Sequence, residues 1–178
     1  MMFEGWADFF LLAGSAAAVL IGLIFVVMTL MQDRPRSSVL AGSRLYMGPV
    51  VLHMSLVLVL SGAALVPGIA PDEFATVAAI VALAGAVRGV MVTVGIRRLA
   101  FSGDPPHWSD MWFYGTIPAA LYFVLAVAAL GVAGGQTWAR DAVAAVIVAL
   151  LLVGIRNEWD LVTWLAPRPD GKESGEGR

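Results

Sequence analysis

The stretch of sequence that decides the fold is residues 9–31, FFLLAGSAAAVLIGLIFVVMTLM, which contains no charged side chain. About 18 or more apolar residues in a row predict a helix that crosses a membrane. The whole chain has this character: of its 178 residues, 60% are hydrophobic and 13% are charged, and the mean hydropathy is +0.84. If the chain formed a soluble domain, its few charged residues could not cover so much apolar surface. The composition therefore predicts an integral membrane protein.

Short segments that contain Pro, Gly and charged residues divide the chain into five apolar runs. The predicted membrane spans are residues 8–31, 45–66, 73–97, 112–133 and 141–165. Each run is long enough to cross about 30 Å of hydrocarbon, and none alternates as the strands of a barrel do. We therefore predict an all-α bundle of five transmembrane helices within residues 1–166. The polar residues 167–178 are expected to form a disordered cytoplasmic tail.

The distribution of Lys and Arg predicts the orientation of this bundle. One side carries Arg34, Arg36, Arg44, Arg97, Arg98, Arg168, Lys172 and Arg178. The loops on the opposite side carry Arg140 as their only cation. Because cations accumulate in cytoplasmic loops, we expect the N-terminus outside the cell and the C-terminus in the cytoplasm.

The composition also excludes several classes of chemistry. The chain has no cysteine, which rules out disulfides, thiolate metal sites and thiol catalysis. Its two histidines, His53 and His107, have no partners at the spacing of a metal site. No basic run exceeds Arg97-Arg98, so nucleic acid is not an expected partner. We expect no cofactor and no enzymatic activity, with the lipid bilayer and either a second copy or another membrane protein as partners.

Spans 2–3 and 4–5 have the features of two copies of one helical hairpin. The corresponding positions are Tyr46 with Tyr114, Pro49 with Pro118, His53 with Tyr122, Glu73 with Asp141, and Arg88 with Arg156. Both hairpins start on the same side, so a duplication would give parallel repeats related by an axis along the membrane normal. Chance similarity between Ala-, Val- and Leu-rich segments is the alternative explanation.

Arg88 is the most informative polar residue inside a predicted span. It lies about 13 Å inside the cytoplasmic end of span 3 at the rise of an α-helix, farther than its side chain reaches easily. An isolated arginine there costs about 2.5–3.5 kcal/mol to insert. We therefore expect Arg88 to face the bundle interior with a partner, at nearly the depth of His53.

Span 5 supplies the acids for such pairing in the sequence Gly154 to Leu161, GIRNEWDL. Arg156 and Asp160 are four residues apart on one helical face and are expected to pair. Glu158 points to another side, where Arg88 or a neighbouring subunit is the expected partner. The predicted intramembrane polar layer comprises Arg88, Arg156, Glu158, Asp160, His53, Asn157 and Tyr122, with Thr163 as an addition. In the alternative interpretation, span 5 ends near Ile155 and the following residues form an interfacial amphipathic segment.

Small residues recur at four-residue spacing in two spans. They are Gly14, Ala18 and Gly22 in span 1, and Gly85 and Gly89 in span 3. This spacing lets helices approach closely. Packing within the chain is the expected use, and association of two copies through span 1 is the alternative.

The opening residues 6–10, WADFF, the residues 22–26, GLIFV, and the later GIRNEWDL resemble motifs of uncharacterised small bacterial inner-membrane proteins. The resemblance implies a bacterial inner-membrane location and no particular activity. Three functions then stay open. The first is a non-enzymatic scaffold, sensor or accessory module, and the second is passage of an ion, proton or small anion past Arg88, Arg156 and Glu158. An intramembrane enzyme is the third, and it lacks a matching set of catalytic groups.

Overall fold

The computed structural model of the chain describes residues 3–30, 46–100 and 107–165. Within these ranges the regular structure is entirely helical, as predicted. The predictions for the tail at 167–178 and for the loop that carries Arg34, Arg36 and Arg44 lie outside the described residues.

Five helices follow one another along the described chain. They are α1 (Ala7–Leu30), α2 (Gly48–Ala64), α3 (Pro71–Ala100), α4 (Ile117–Ala133) and α5 (Trp138–Leu165). A single helical turn, Trp108–Asp110, and a π-helical segment, Met111–Thr116, lead directly into α4. Four of these helical regions are long and apolar enough to cross a membrane, which suggests a membrane protein.

The helix α2 is shorter than the predicted span 45–66. It has 17 residues, or about 26 Å of helix. Pro49 occupies its first turn, where the fixed φ of proline suits a helix. Its other end leads into a turn in which Gly68 has φ +76°, a conformation that glycine adopts readily. The regular α-helix is therefore shorter than the predicted span, with Tyr46 and Met47 π-helical before it and a turn after it.

The helix α3, by contrast, extends beyond the predicted span 73–97 at both ends. Pro71 starts it, and Asp72 and Glu73 lie in its first turn, where the helix dipole favours acids. The carboxylate of Glu73 accepts a hydrogen bond of 3.0 Å from the backbone N–H of Ala70. Arg97 lies in the last turn, where the dipole favours cations.

Four helices form a ring in the order α2, α3, α4, α5, in which each helix packs against the next and α5 packs against α2. The helix α1 lies outside this ring, against α2 and α5. Consequently α2 and α4 face each other diagonally across the bundle. We call the end at which α2 and α4 begin, and at which α1, α3 and α5 finish, the polar end.

Glycines bring α3 and α4 close together, as the spacing in span 3 predicted. A Cβ at Gly85 would overlap the ring of Tyr122, and a Cβ at Gly89 would lie 2.9 Å from that of Ala119. In α1, Gly14 likewise lies against Ser61 of α2, but Gly22 has no neighbour within 4 Å. In α1, Gly14 therefore serves packing within the chain, whereas the space beside Gly22 is unoccupied.

The half of the bundle away from the polar end has a mostly apolar core. Leu60, Leu125 and Ile147 are fully buried there, and Ser61 is the buried polar residue of α2 in that half. Phe3 packs edge-on against Phe74, with ring centroids 4.6 Å apart. Edge-to-face contacts of this kind fix the orientation of neighbouring rings. This apolar core fills the bundle between the inner helical turns on the side away from the polar end.

Candidate functional site

His53 and Tyr122 meet in the middle of the bundle, across the diagonal between α2 and α4. Nδ1 of His53 and the hydroxyl oxygen of Tyr122 share a hydrogen bond of 2.9 Å. Both side chains are buried, and Nε2 of His53 has no hydrogen-bond partner among the described residues. The sequence placed both residues in the polar layer, and the structure brings them together. We call this pair the inner tier.

A second set of polar groups lies nearer the polar end, where the π-helical segment enters α4. In that segment the N–H of Ile117 donates to the carbonyl of Trp112, five residues earlier. The next bond of this kind would run from residue 118 to the carbonyl of Phe113. Pro118 has no N–H, so the carbonyl of Phe113 lacks its donor within the helix.

Asn157 of α5 supplies the missing donor. Its side-chain amide donates to the carbonyl of Phe113 at 3.1 Å, and its own backbone carbonyl accepts from the hydroxyl of Tyr114 at 3.0 Å. Asn157 itself is 1% exposed. An unsatisfied carbonyl in hydrocarbon costs several kcal/mol. Asn157 therefore ties α5 to the start of α4.

Tyr46 and Asp110 complete this region. The hydroxyl of Tyr46 donates to Oδ2 of Asp110 at 3.3 Å. The ring of Tyr46 meets that of Tyr114 edge-on, with centroids 5.0 Å apart. We call Tyr46, Asp110, Tyr114 and Asn157 the outer tier. The single polar layer predicted from the sequence is thus two tiers, with the fully buried Val50 on α2 between them.

Arg156 forms the ion pair that its spacing predicted. Its Nη1 lies 2.7 Å from Oδ2 of Asp160, and both side chains are about one-third exposed. The guanidinium also lies over the ring of Phe113, 3.7 Å from the centroid, and donates to Oδ1 of Asn157 at 3.3 Å. The cation is therefore neutralised and held at the edge of the outer tier.

Glu158 lies on a different face of α5 from this pair, as predicted. It is 7% exposed, and its Oε1 has no hydrogen-bond partner among the described residues. One turn earlier, a Cβ at Gly154 would meet the side chain of Met54 on α2. One turn later, Leu161 packs against Val27 and Met47. The face that carries Glu158 is thus turned toward α2 and α1.

Arg88 is half-buried on α3. It is close enough to His53 for the two side chains to interact electrostatically, which agrees with the predicted common depth. The described parts of α3 and α5 do not pack along each other, so the geometry gives no support to a pair between Arg88 and Glu158. That pair stays a prediction.

The helix α5 runs without a break through Arg156 to Leu165, and the apolar segment within it extends to Thr163. The hydroxyl of Thr163 bonds to backbone carbonyls of its own helix, those of Trp159 and Asp160. Thr163 is therefore not part of either tier. A continuous helix is what the interpretation with a long fifth span requires.

Sequence reasoning missed the roles of Tyr46, Asp110, Tyr114 and Phe113. The two tyrosines were noted only as markers of the repeat. One available signal was a tyrosine three or four residues before a proline at each helix start, because proline leaves a carbonyl in the preceding turn without a donor. No comparable sequence pattern marks Phe113 or Asp110.

Chemically, the two tiers hold hydrogen-bonding groups, with the ion pair of Arg156 and Asp160 at the edge of the outer tier. No three His, Cys, Asp or Glu side chains in the described ranges are grouped so that they could hold a metal ion. No protein-family model, curated protein or solved structure matches the chain. The resemblance to small bacterial inner-membrane proteins stays a prediction.

Proposed function

We propose that this protein is a non-enzymatic membrane module of the bacterial inner membrane: a scaffold, sensor or accessory subunit that binds a second copy or another membrane protein. The observation that supports this best is the depth at which the central polar groups stop. They reach from the polar end to the inner tier, His53 and Tyr122. Beyond that pair, the side chains of Leu60 and Leu125 fill the centre.

A pathway for ions needs polar or water-filled surroundings across the whole membrane. Here the polar groups occupy one half of the bundle, and Val50 separates even the two tiers. Ser61 is the buried polar residue of α2 in the other half, and it faces Gly14 of α1 outside the ring. Polar groups confined to one half of the bundle suit a module that detects or transmits a state.

We further propose that the polar end faces the cytoplasm. Arg97 and Arg98 end α3 at the polar end, while Asp72, Asp141 and Arg140 lie at the opposite end. This distribution of charge follows the excess of cations that cytoplasmic loops carry. The N-terminus would then be outside the cell and the C-terminus inside.

The two hairpins, α2–α3 and α4–α5, are proposed to be tandem repeats. The π-helical geometry of Tyr46 matches that of the segment before α4, and each following helix has a proline in its first turn. Corresponding residues also meet each other, Tyr46 with Tyr114 and His53 with Tyr122. Contacts between corresponding residues are expected at an axis that relates two parallel copies.

Passage of a proton or small ion is the alternative function. Its support is the unpartnered Nε2 of His53, because buried ionisable groups in membranes often mark a pathway. In this alternative the route would continue past Arg88, Arg156 and Glu158. A second conformation would have to open the apolar half of the bundle.

Reconstitution of the purified protein into sealed liposomes separates the two functions. The proposed module gives proton and ion fluxes equal to those of empty liposomes, with the protein shown to be folded by its thermal unfolding transition. A flux that His53→Ala abolishes, and that the exposed control Ser15→Ala leaves unchanged, would overturn the proposal and establish the alternative.

A further inference from the structure

Glu158 is the buried charged residue that the two tiers do not use. It is 7% exposed, and its Oε1 has no hydrogen-bond partner among the described residues. The nearest acid on the same helix, Asp160, is partly exposed and paired with Arg156. The carboxyl group of Glu158 is therefore buried, whereas that of Asp160, on the same helix, is partly exposed and ion-paired.

The residues one turn before and one turn after Glu158 on α5 lie against apolar side chains. Gly154, one turn before it, lies against Met54. Leu161, one turn after it, packs with Val27 of α1 and with Met47, which precedes α2. The described part of α1 from Phe9 onward has no titratable residue. Burial of this kind disfavours the ionised carboxylate far more than the neutral acid.

Other titratable groups on the elements packed around α5 are already engaged. Tyr46 bonds to Asp110, His53 to Tyr122, and Tyr114 to the backbone of Asn157. Arg88 lies on α3, which does not pack along α5 in the described chain. The charged and titratable groups considered on α5 and on the described elements around it are Tyr46, His53, Arg88, Asp110, Tyr114, Arg156 and Asp160.

We propose that Glu158 is a proton-binding site, neutral in the packed bundle, whose ionisation loosens the contact of α5 with α1 and α2. This goes beyond the proposed module and gives it a means of regulation by pH. Because ionisation would place a charge in this buried site, we expect the packed bundle to be most stable at low pH and to lose stability as the pH rises. The site itself does not depend on which partner the module binds.

A buried neutral carboxyl in an apolar setting has a specific reactivity toward a hydrophobic carbodiimide. The acid proton moves to a carbodiimide nitrogen while the carboxyl oxygen adds to the central carbon. The acyl group then shifts to nitrogen and leaves a stable N-acylurea, with no leaving group. The product carries the full mass of one reagent molecule on the glutamate.

The test treats the full chain in lipid nanodiscs with dicyclohexylcarbodiimide over a series of pH values, and maps the modified residue by mass spectrometry. Labelling of Glu158 in the wild type is expected to fall as the pH rises. Asp160→Asn, the matched control, is expected to keep the same labelling. Glu158→Gln is expected to lose it and to lose the fall of the unfolding temperature at alkaline pH.

Modification of Asp160 or Asp110 in place of Glu158 would overturn the proposal. The proposal would equally be overturned if the unfolding temperature of Glu158→Gln fell with rising pH as it does in the wild type. The mapping in the wild type decides the matter even if the variant fails to fold. Neither readout involves ion flux or a partner, so failure here is distinct from failure of the proposed function.

Discussion

At the scale of single residues, the hydrogen bond between His53 and Tyr122 joins two helices that do not otherwise pack along each other. Tyr122→Phe removes the hydroxyl and leaves Nδ1 of His53 buried without its partner. Interhelical hydrogen bonds in membranes contribute about 0.6–2 kcal/mol. We expect a loss of about 1–2 kcal/mol in the free energy of unfolding, measured by denaturant titration in mixed micelles.

Tyr46→Phe is the matched control for this substitution. Its hydroxyl is only partly buried and its bond to Asp110 is longer, 3.3 Å. The control should therefore lose less stability than Tyr122→Phe. Equal stability of Tyr122→Phe and the wild type would show that the inner tier does not hold the two helices together.

The bond from Asn157 to the carbonyl of Phe113 gives a second residue-scale prediction. Asn157→Ala leaves that carbonyl without a donor, since Pro118 has no N–H to offer. We expect a loss of about 1–3 kcal/mol in unfolding free energy. Pro118→Ala restores a backbone N–H, so Asn157→Ala should be less harmful in the Pro118→Ala background.

A double-mutant cycle over Asn157 and Pro118 measures this coupling directly. Its expected sign is favourable, with the double variant more stable than the sum of the two single effects. An additive cycle would show that the carbonyl of Phe113 finds its donor elsewhere.

At the scale of helices, the close approach of α3 and α4 depends on Gly85. A methyl group there would overlap the ring of Tyr122, which is fully buried and cannot move away. Overpacking of this kind costs about 1–3 kcal/mol. We expect Gly85→Ala to lower the unfolding temperature of the purified protein.

Gly62→Ala is the matched control, because Gly62 is also helical and has no neighbour within 4 Å. Alanine is the better helix former by about 1 kcal/mol, so this control should be neutral or stabilising. If both substitutions had the same effect, α3 and α4 would not be packed as described.

The helices themselves were largely predictable, because long apolar runs identify them without tertiary information. The exceptions have local causes. The helix α2 has 17 residues, because Tyr46 and Met47 before it are π-helical and a turn that includes Gly68 follows it. The π-helical segment before α4 was not predicted, since a wider turn leaves no hydropathy signal. The apolar runs thus predict which segments are helical better than they predict where a helix ends near proline or glycine.

At the scale of the whole molecule, the sequence indicated which residues are polar but not which of them meet. The spacing predicted the pair Arg156–Asp160 correctly, because both lie on one helix. The contact of His53 with Tyr122 depends on how α2 and α4 are rotated in the ring, which no single helix determines. For the same reason the partner of Glu158, expected to be Arg88 or a neighbouring subunit, stays a prediction, and its face of α5 is turned toward α2 and α1.

The central claim is that polar groups enter the bundle from one end and stop at the inner tier. The chain has no cysteine, so single cysteines at Tyr46 and Leu60 test this directly with a membrane-impermeant maleimide in sealed vesicles. We predict that Tyr46→Cys reacts from the side of the polar end alone and that Leu60→Cys reacts from neither side. Labelling of Leu60→Cys at a rate comparable to that of Tyr46→Cys would contradict the account, because water would then cross the apolar half.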